Sequence, residues 1–364
     1  MKIKFTNLYK LIPQKNKINS KIISLIKKSN FIGGDEVKLF EKNFAKFVGA
    51  KNCITVGNGT DALEIAIKSL NLKKGSEIII PNNTWISTAE AVITNGHNVK
   101  FCDVNLDDYS ICLNDLKKKI NKKTKAIIVV HLYGNPTNMI QLRKIIKNKK
   151  IKVIEDCAQA HGAKLKKKHV GTFSDISTFS FFPGKNLGAF GDAGAIVTNS
   201  KQLSNNCLRS RNHGALYKYD HLFSGRNSRL DTINAGVLNI KLLHYKEVIK
   251  KRNQIAKIYF KELKNISNLK MFKLSAENSH SFHQFVIRTN YRDKLRAFLN
   301  NNGVETMVHY PYMLNELKFF KNKINLNKSK NLGKKILSLP ISEEHKKKEI
   351  IYVCKMIKTF FEKL

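Results

Sequence analysis

Between residues 53 and 198, short apolar runs alternate with segments of helical periodicity, and this alternation limits the chain to few folds. The segment 87–94 suits a helix. Residues 99–104 then read as a strand, 113–120 as a helix, 126–131 as a strand, 139–146 as a helix and 151–156 as a strand. Residues 176–181 and 195–198 are further short strands. Strands apolar on both faces, separated by helices, build a mostly parallel sheet covered on both sides. Such sheets bind ligands at the carboxyl ends of their strands. Polar residues that close strands are therefore the first place to look for chemistry.

One strand closes on Glu155-Asp156 and runs into Cys157-Ala158-Gln159-Ala160-His161. Side chains alternate along a strand, so Glu155 and Asp156 are expected on opposite faces. Asp156 can lie opposite the ring nitrogen of pyridoxal 5'-phosphate (PLP), keeping that nitrogen protonated and the ring an electron sink. It can equally cap a following helix. A second strand, Phe179-Ser180-Phe181-Phe182, leads into the tight turn Pro183-Gly184-Lys185-Asn186-Leu187-Gly188. A lysine held among apolar groups has its amine pKa lowered by desolvation, and a neutral amine condenses with carbonyls. A solvated loop lysine is the plain alternative. A nucleotide-binding P-loop is excluded, because Phe179 stands where that motif needs Gly and Asn186 where it needs Ser or Thr.

A third segment, Val56-Gly57-Asn58-Gly59-Thr60-Asp61-Ala62-Leu63, follows a short apolar stretch. Thr60 or Asp61 is expected to cap a helix whose free N–H groups and dipole would hold a phosphate. The spacing Gly57-x-Gly59-x-x-Ala62 also fits a dinucleotide fingerprint. That fingerprint requires an acid closing the next strand, about 20 residues on. The next strand, Glu77-Ile78-Ile79-Ile80, ends in Pro81-Asn82-Asn83 instead. A single phosphate is the better reading, and a dinucleotide-dependent oxidoreductase the weaker one.

Phosphate turn, acidic strand end and lysine turn, in this order, resemble the DegT/DnrJ/EryC1/StrS family of PLP-dependent sugar aminotransferases. The resemblance runs from Gly33-Gly34 to His309-Tyr310-Pro311. It implies an aspartate-aminotransferase-like (type I PLP) fold. It also implies that Lys185 carries PLP as a Schiff base, that Asp156 pairs with the ring nitrogen, and that Gln159 lies near the phenolic oxygen. Gly59, Thr60, Asp61 and Ser180 would form the phosphate site. Trp85, the chain's single tryptophan, would stack on the ring, although a core anchor is its ordinary role. Asn227, in Gly225-Arg226-Asn227-Ser228-Arg229-Leu230-Asp231, would reach the phosphate of a second subunit, implying a homodimer with shared sites. Locally, Asp231 or Ser228 would cap a helix there. Some relatives carry His at the lysine position and deoxygenate sugars, whereas Lys185 argues for transamination.

Within the family, His213-Gly214-Ala215-Leu216-Tyr217-Lys218-Tyr219 and Asn227-Ser228-Arg229-Leu230-Asp231 look most like enzymes acting on dTDP-3-oxo-6-deoxyhexoses. The resemblance then implies glutamate as donor and a dTDP-3-amino-3,6-dideoxyhexose as product. His309, Tyr310, Tyr217 and Arg211 would meet the sugar and pyrophosphate. The alternatives are a 4-oxo sugar on UDP or GDP and, from another class, a non-catalytic regulatory PLP-binding protein. His131, closing the strand 126–131, either lines the pocket or is a hydrogen-bonded structural histidine.

Composition bounds these readings. Lys+Arg 66 against Asp+Glu 27 gives a formal charge of +39, which invites a nucleic-acid reading. No helix-turn-helix, zinc finger or RNP motif accompanies the charge, so no nucleic-acid partner is expected. Arginines cluster at 209, 211, 226 and 229, where planar contacts to phosphate or carboxylate would explain them. The six cysteines show no C-x-x-C or zinc-like spacing, so no metal is expected, and reduced thiols point to the cytoplasm. Neither a signal-peptide core nor an apolar run of membrane-spanning length is seen. The 364 residues leave room for two domains. Residues 1–245 are expected to form the PLP-binding domain with an N-terminal arm, and 246–364 a smaller α+β domain. A long helix over 238–263 would bridge them, and a strand over 281–288 would begin the second sheet.

Overall fold

The computed structural model describes residues 1–320, 326 and 328–364. Its central sheet contains β1 (Asn52–Val56), β2 (Glu77–Pro81), β3 (Asn98–Cys102), β4 (Thr124–Val130) and β5 (Lys152–Asp156). A small hairpin, β6 (Lys164–Leu165) and β7 (Lys168–His169), precedes its last members, β8 (Ile176–Ser180) and β9 (Gly194–Thr198). The seven strands lie in the order β1-β9-β8-β5-β4-β2-β3. Pairing is parallel from β3 through β2, β4 and β5 to β8. Alternate side chains feed two cores, as a doubly covered sheet requires. Ile78, Ile80, Ile128 and Ile154 pack with Ala62 and Ala66 on one face. Ile79, Ile127, Val129 and Val153 pack with Leu142 on the other.

The exception is β9, which is antiparallel to both β8 and β1. Residues 181–193 contain no helix, and without a crossover element the chain can only turn back beside β8. That reversal holds the Lys185 turn at the carboxyl end of β8. Asp156 closes β5, the parallel neighbour of β8.

The helix expected over 238–263 is two helices, Thr232–Leu243 and Tyr245–Leu263, jointed at His244. Tyr245 is buried, and its hydroxyl donates to the His161 carbonyl at 2.8 Å. This anchor fixes the start of the second helix. Tyr245 belongs to a core of the large domain, whereas Ile255, Tyr259 and Leu263 of the same helix belong to that of the smaller one. The smaller domain carries an antiparallel sheet of β10 (Lys270–Met271), β11 (Phe285–Arg288) and β12 (Ile336–Leu339). Its strand begins at Phe285 rather than at 281, because the preceding residues bind the large domain. The Ser281 N–H donates to Gly134 O at 3.0 Å, and Asn186 Nδ2 donates to Ser281 O at 2.9 Å.

The start of the chain packs against residues near 304. Ile3 bridges Val304, with its N–H donating to Gly303 O at 2.7 Å, and is buried in the smaller domain's core. Val130, Leu132 and Tyr133 of the large domain enter the same core, so the two domains share one packed boundary.

Buried histidines give this packing a pH signature. Burial, the largest cause in each case, lowers His161 to about 3, His169 to about 4 and His280 to about 3. In the unfolded chain each binds a proton near pH 6.5. The unfolded state therefore binds more protons below that pH, and stability falls as pH falls towards the folded values. Each of these histidines is expected to cost about 2 kcal/mol at pH 5. Calorimetric thermal midpoints should drop steeply between pH 7 and 5. A flat profile would mean that these rings titrate freely.

Candidate active site

Asp156 and Glu155 point to opposite faces, as strand parity requires. Glu155 faces away from the Lys185 turn. Its carboxylate accepts from Gly171 N at 2.8 Å and Phe173 N at 2.9 Å, and meets His131 Nε2 at 3.0 Å. His131 Nδ1 accepts from Thr137 N at 3.1 Å, so its proton lies on Nε2 and the ring donates to Glu155. His131 is thus a buried structural histidine and does not line the pocket.

The Asp156 carboxylate accepts from the Ala158 N–H at 3.0 Å and the Thr88 hydroxyl at 3.3 Å. Burial raises its pKa above the ordinary value, opposed by the Ala158 N–H, the Lys185 charge and Thr88. Lys185 occupies the turn after β8, half-buried, with its N–H donating to Phe182 O at 2.8 Å. Desolvation lowers its amine to about 8, with the Asp156 carboxylate pulling the other way. An amine near neutrality and a buried acid thus act on each other across adjacent strand ends.

The phosphate turn is built as a cradle. The helix Gly59–Ser69 is capped by Asn58, whose side chain accepts from the Asp61 N–H at 2.8 Å. The cap is therefore neither Thr60 nor Asp61, because the helix starts two to three residues earlier than expected. Asp61 contributes nothing free to a phosphate. Its N–H is held by Asn58, and its carboxylate accepts from Arg226 Nη1 at 2.7 Å and Ser228 Oγ at 2.6 Å. The N–H groups of Gly59 and Thr60, which precede any intrahelical acceptor, remain for an anion. A Cβ built on Gly59 would lie 2.6 Å from the Ser180 Cβ, so only glycine lets this helix end meet Ser180. The Thr60 and Ser87 hydroxyls lie 2.8 Å apart.

The remaining predicted residues separate into two groups. Gln159 accepts from the Tyr133 N–H at 2.7 Å and donates to the Tyr310 hydroxyl at 3.0 Å. The Tyr310 ring lies 5.5 Å from that of Trp85, which is 57% exposed and is no core anchor. His309 Nδ1 meets Ser338 Oγ at 2.9 Å, and its pKa falls to about 4 through burial and the Lys185 charge. These residues gather where the two domains meet, around Lys185 and Asp156. Arg211 does not join them. Its Nη1 donates to Glu41 at 2.6 Å and to Thr55 O at 2.7 Å, which gives it a structural role inside the fold. Tyr217, 75% exposed, and Asn227, also exposed, lie on loops that face solvent in the single chain. Asp231 caps the next helix by accepting from Asn234 N at 2.7 Å.

Two participants escaped the sequence reading. Thr88 orients Asp156, and Asn58 caps the phosphate helix. Asn58 was open to detection as an Asx residue one position before the Gly59-Thr60-Asp61 helix start. Thr88 carried no local signal.

The arrangement fits PLP on its own terms: donors for one phosphate, a buried acid for the ring nitrogen, an aromatic face and a desolvated lysine. Residues 13–358 match the DegT/DnrJ/EryC1/StrS aminotransferase family. The chain belongs to that family. It is 36% identical over 332 residues to a dTDP-3-amino-3,6-dideoxy-alpha-D-galactopyranose transaminase of Aneurinibacillus thermoaerophilus, covering 91% of each chain. It is 37% identical to a "Pleiotropic regulatory protein" of Geobacillus stearothermophilus, covering 93% of this chain and 92% of that one. The solved structure of S. venezuelae DesV in complex with a ketimine intermediate superposes with a TM-score of 0.97 at 30% identity, covering 100% of this chain and 99% of that one. The protein is an aminotransferase, and its cofactor is PLP. Among the described residues, no helix is long and apolar enough to cross a membrane.

Because Asp156 holds the Lys185 pKa up, its removal lowers that pKa further. In apo Asp156→Asn, modification of Lys185 by an amine reagent should show a midpoint below the parent's value of about 8. Turnover of the loaded variant should fall at least about 100-fold, the lower reach of acid–base catalysis. An unchanged midpoint would show that the two groups do not interact.

Proposed function

We propose that this aminotransferase moves an amine from glutamate to C3 of a dTDP-linked 3-oxo-6-deoxyhexose, giving the dTDP-3-amino-3,6-dideoxyhexose. The observation that carries the transfer chemistry is the desolvated Lys185 amine set against the buried carboxylate of Asp156. The substrate rests on the name of the 36% identical relative. The exchange balances without an external oxidant: the donor amino acid becomes a 2-oxo acid, and the sugar carbonyl becomes a carbon bearing the amine.

Bound PLP supplies a carbonyl that exchanges with amines and a ring that accepts an electron pair. Lys185 would take the proton from the donor Cα and later return one to the sugar carbon. Asp156, steadied by Thr88 and Ala158, would keep the ring nitrogen protonated. Gly59, Thr60 and Ser180 would hold the phosphate, Gln159 would serve the phenolic oxygen, and Trp85 would serve the ring. His309 and Tyr310 face the sugar from the smaller domain. Tyr217 and Asn227 act in a homodimer, where Asn227 completes the partner's phosphate site. The exposed apolar side chains of Tyr217, Tyr219 and Leu222 favour burial against a second copy. The enzyme works in the cytoplasm.

Lys185→Ala should abolish the glutamate-dependent change in cofactor absorbance and lower turnover by about 10²–10⁴-fold or more. Full activity would refute the assignment. Amine transfer should be seen with 3-oxo dTDP sugars. Turnover confined to 4-oxo sugars on UDP or GDP would reassign the substrate, and cofactor binding with no transfer to any sugar would favour the regulatory reading. For the dimer, Asn227→Ala should bind PLP more weakly without unfolding. A fully active monomer in sedimentation would refute the shared site.

A further inference from the structure

A second lysine shares a cavity with Lys185. The cavity, of about 360 Å³, is lined by Lys185, Lys241 and Glu343 together with apolar groups that include Leu8, Leu11 and Phe190. Lys241 comes from the last turn of the helix Thr232–Leu243. Its ammonium has three donors. One goes to Gly188 O at 2.5 Å, and no other described residue accepts from it. Glu343, the one acid among the lining residues, is engaged by Arg252 at 2.9 Å. The uncompensated charge of the cavity is therefore positive, and its walls suit methylene groups. Burial lowers Lys241 to about 8, opposed by Glu343.

We infer that Lys241 binds a carboxylate of the amino donor in this cavity, which would hold the donor's amine beside the carbonyl that PLP supplies at Lys185. The inference rests on the aminotransferase reading above and adds where the donor is held. A transaminase must take its amine from a donor that, as an amino acid, carries a carboxylate. One compact ammonium with unused donors suits a carboxylate. A nucleotide diphosphate carries more negative charge, and here it would meet one free lysine beside an acid. The apolar walls match the carbon chain of glutamate, and a hydrogen bond between an ammonium and a carboxylate is charge-assisted.

The test uses the holoenzyme, with Lys241→Met and Lys241→Arg beside the parent. In Lys241→Met, KM for glutamate should rise at least about tenfold, the effect of one charge-assisted hydrogen bond. KM for the keto sugar should stay within about twofold, below the effect of any such bond. Glutarate, a dicarboxylate without an amine, should compete with glutamate in the parent and lose that ability in Lys241→Met. Lys241→Arg should restore part of both effects, which a purely structural lysine would not predict for an inhibitor constant. Unchanged glutamate KM and glutarate inhibition would overturn the inference, as would an equal loss of sugar affinity. Calorimetric binding of glutarate needs no turnover. If the parent transfers no amine but binds glutarate through Lys241, the aminotransferase reading fails while the carboxylate site stands. If glutarate binds equally well without Lys241, the site itself fails.

Discussion

The site depends on keeping one amine and one carboxylate, those of Lys185 and Asp156, out of water at the ends of adjacent strands. Desolvation works against both charges: it lowers the lysine to about 8 and raises the aspartic acid. Each charge partly offsets the desolvation of the other. A lysine in water would remain protonated and unreactive. An aspartate in water would do little to hold a ring nitrogen protonated. The sheet creates the required dryness, because β5 and β8 are interior strands covered on both faces and open only at their carboxyl ends.

The surrounding polar groups maintain this arrangement from several directions. Thr88 and Ala158 orient Asp156, while Glu155 on the opposite face ties down residues 171–173 beneath it. The helix that presents the phosphate donors is fastened to the loop around Asn227. Ser228 accepts from Gly57 N at 2.9 Å and donates to Asp61, and Arg226 pairs with both Asp61 and Glu64. The phosphate turn and the loop proposed to reach a second subunit are thus tied together. Gln159 and Tyr310 join the large domain to the smaller one directly over the site, and Tyr133 reinforces that join by donating its hydroxyl to His309 O.

Much of this was legible in the sequence, for local reasons. Strand and helix alternation followed from apolar periodicity. Lys185 and Asp156 stood out because turn chemistry and strand parity are local properties. What escaped depends on partners distant in sequence. Arg211 reads as a phosphate ligand until Glu41, 170 positions away, takes its guanidinium. Asp61 reads as a helix cap until Arg226 and Ser228 claim it from 165 and 167 positions away. The break at His244 has no Gly or Pro to announce it and follows from the tertiary anchor of Tyr245. The reversal at β9 arises from the absence of a crossover helix, and the alternation upstream concealed it. Lys241, one lysine among many in a basic chain, carries no local signal and is set apart only by the cavity it shares with Lys185.

Reductive trapping tests the central claim most directly. The PLP-loaded protein is treated with borohydride, digested, and its phosphopyridoxyl-bearing peptide identified by mass. Lys241 provides an internal control, since burial lowers it to about 8 as well but places it opposite no carboxylate of the cofactor site. The account predicts the label on Lys185 alone. A label on Lys241, or one spread over surface lysines, would contradict it.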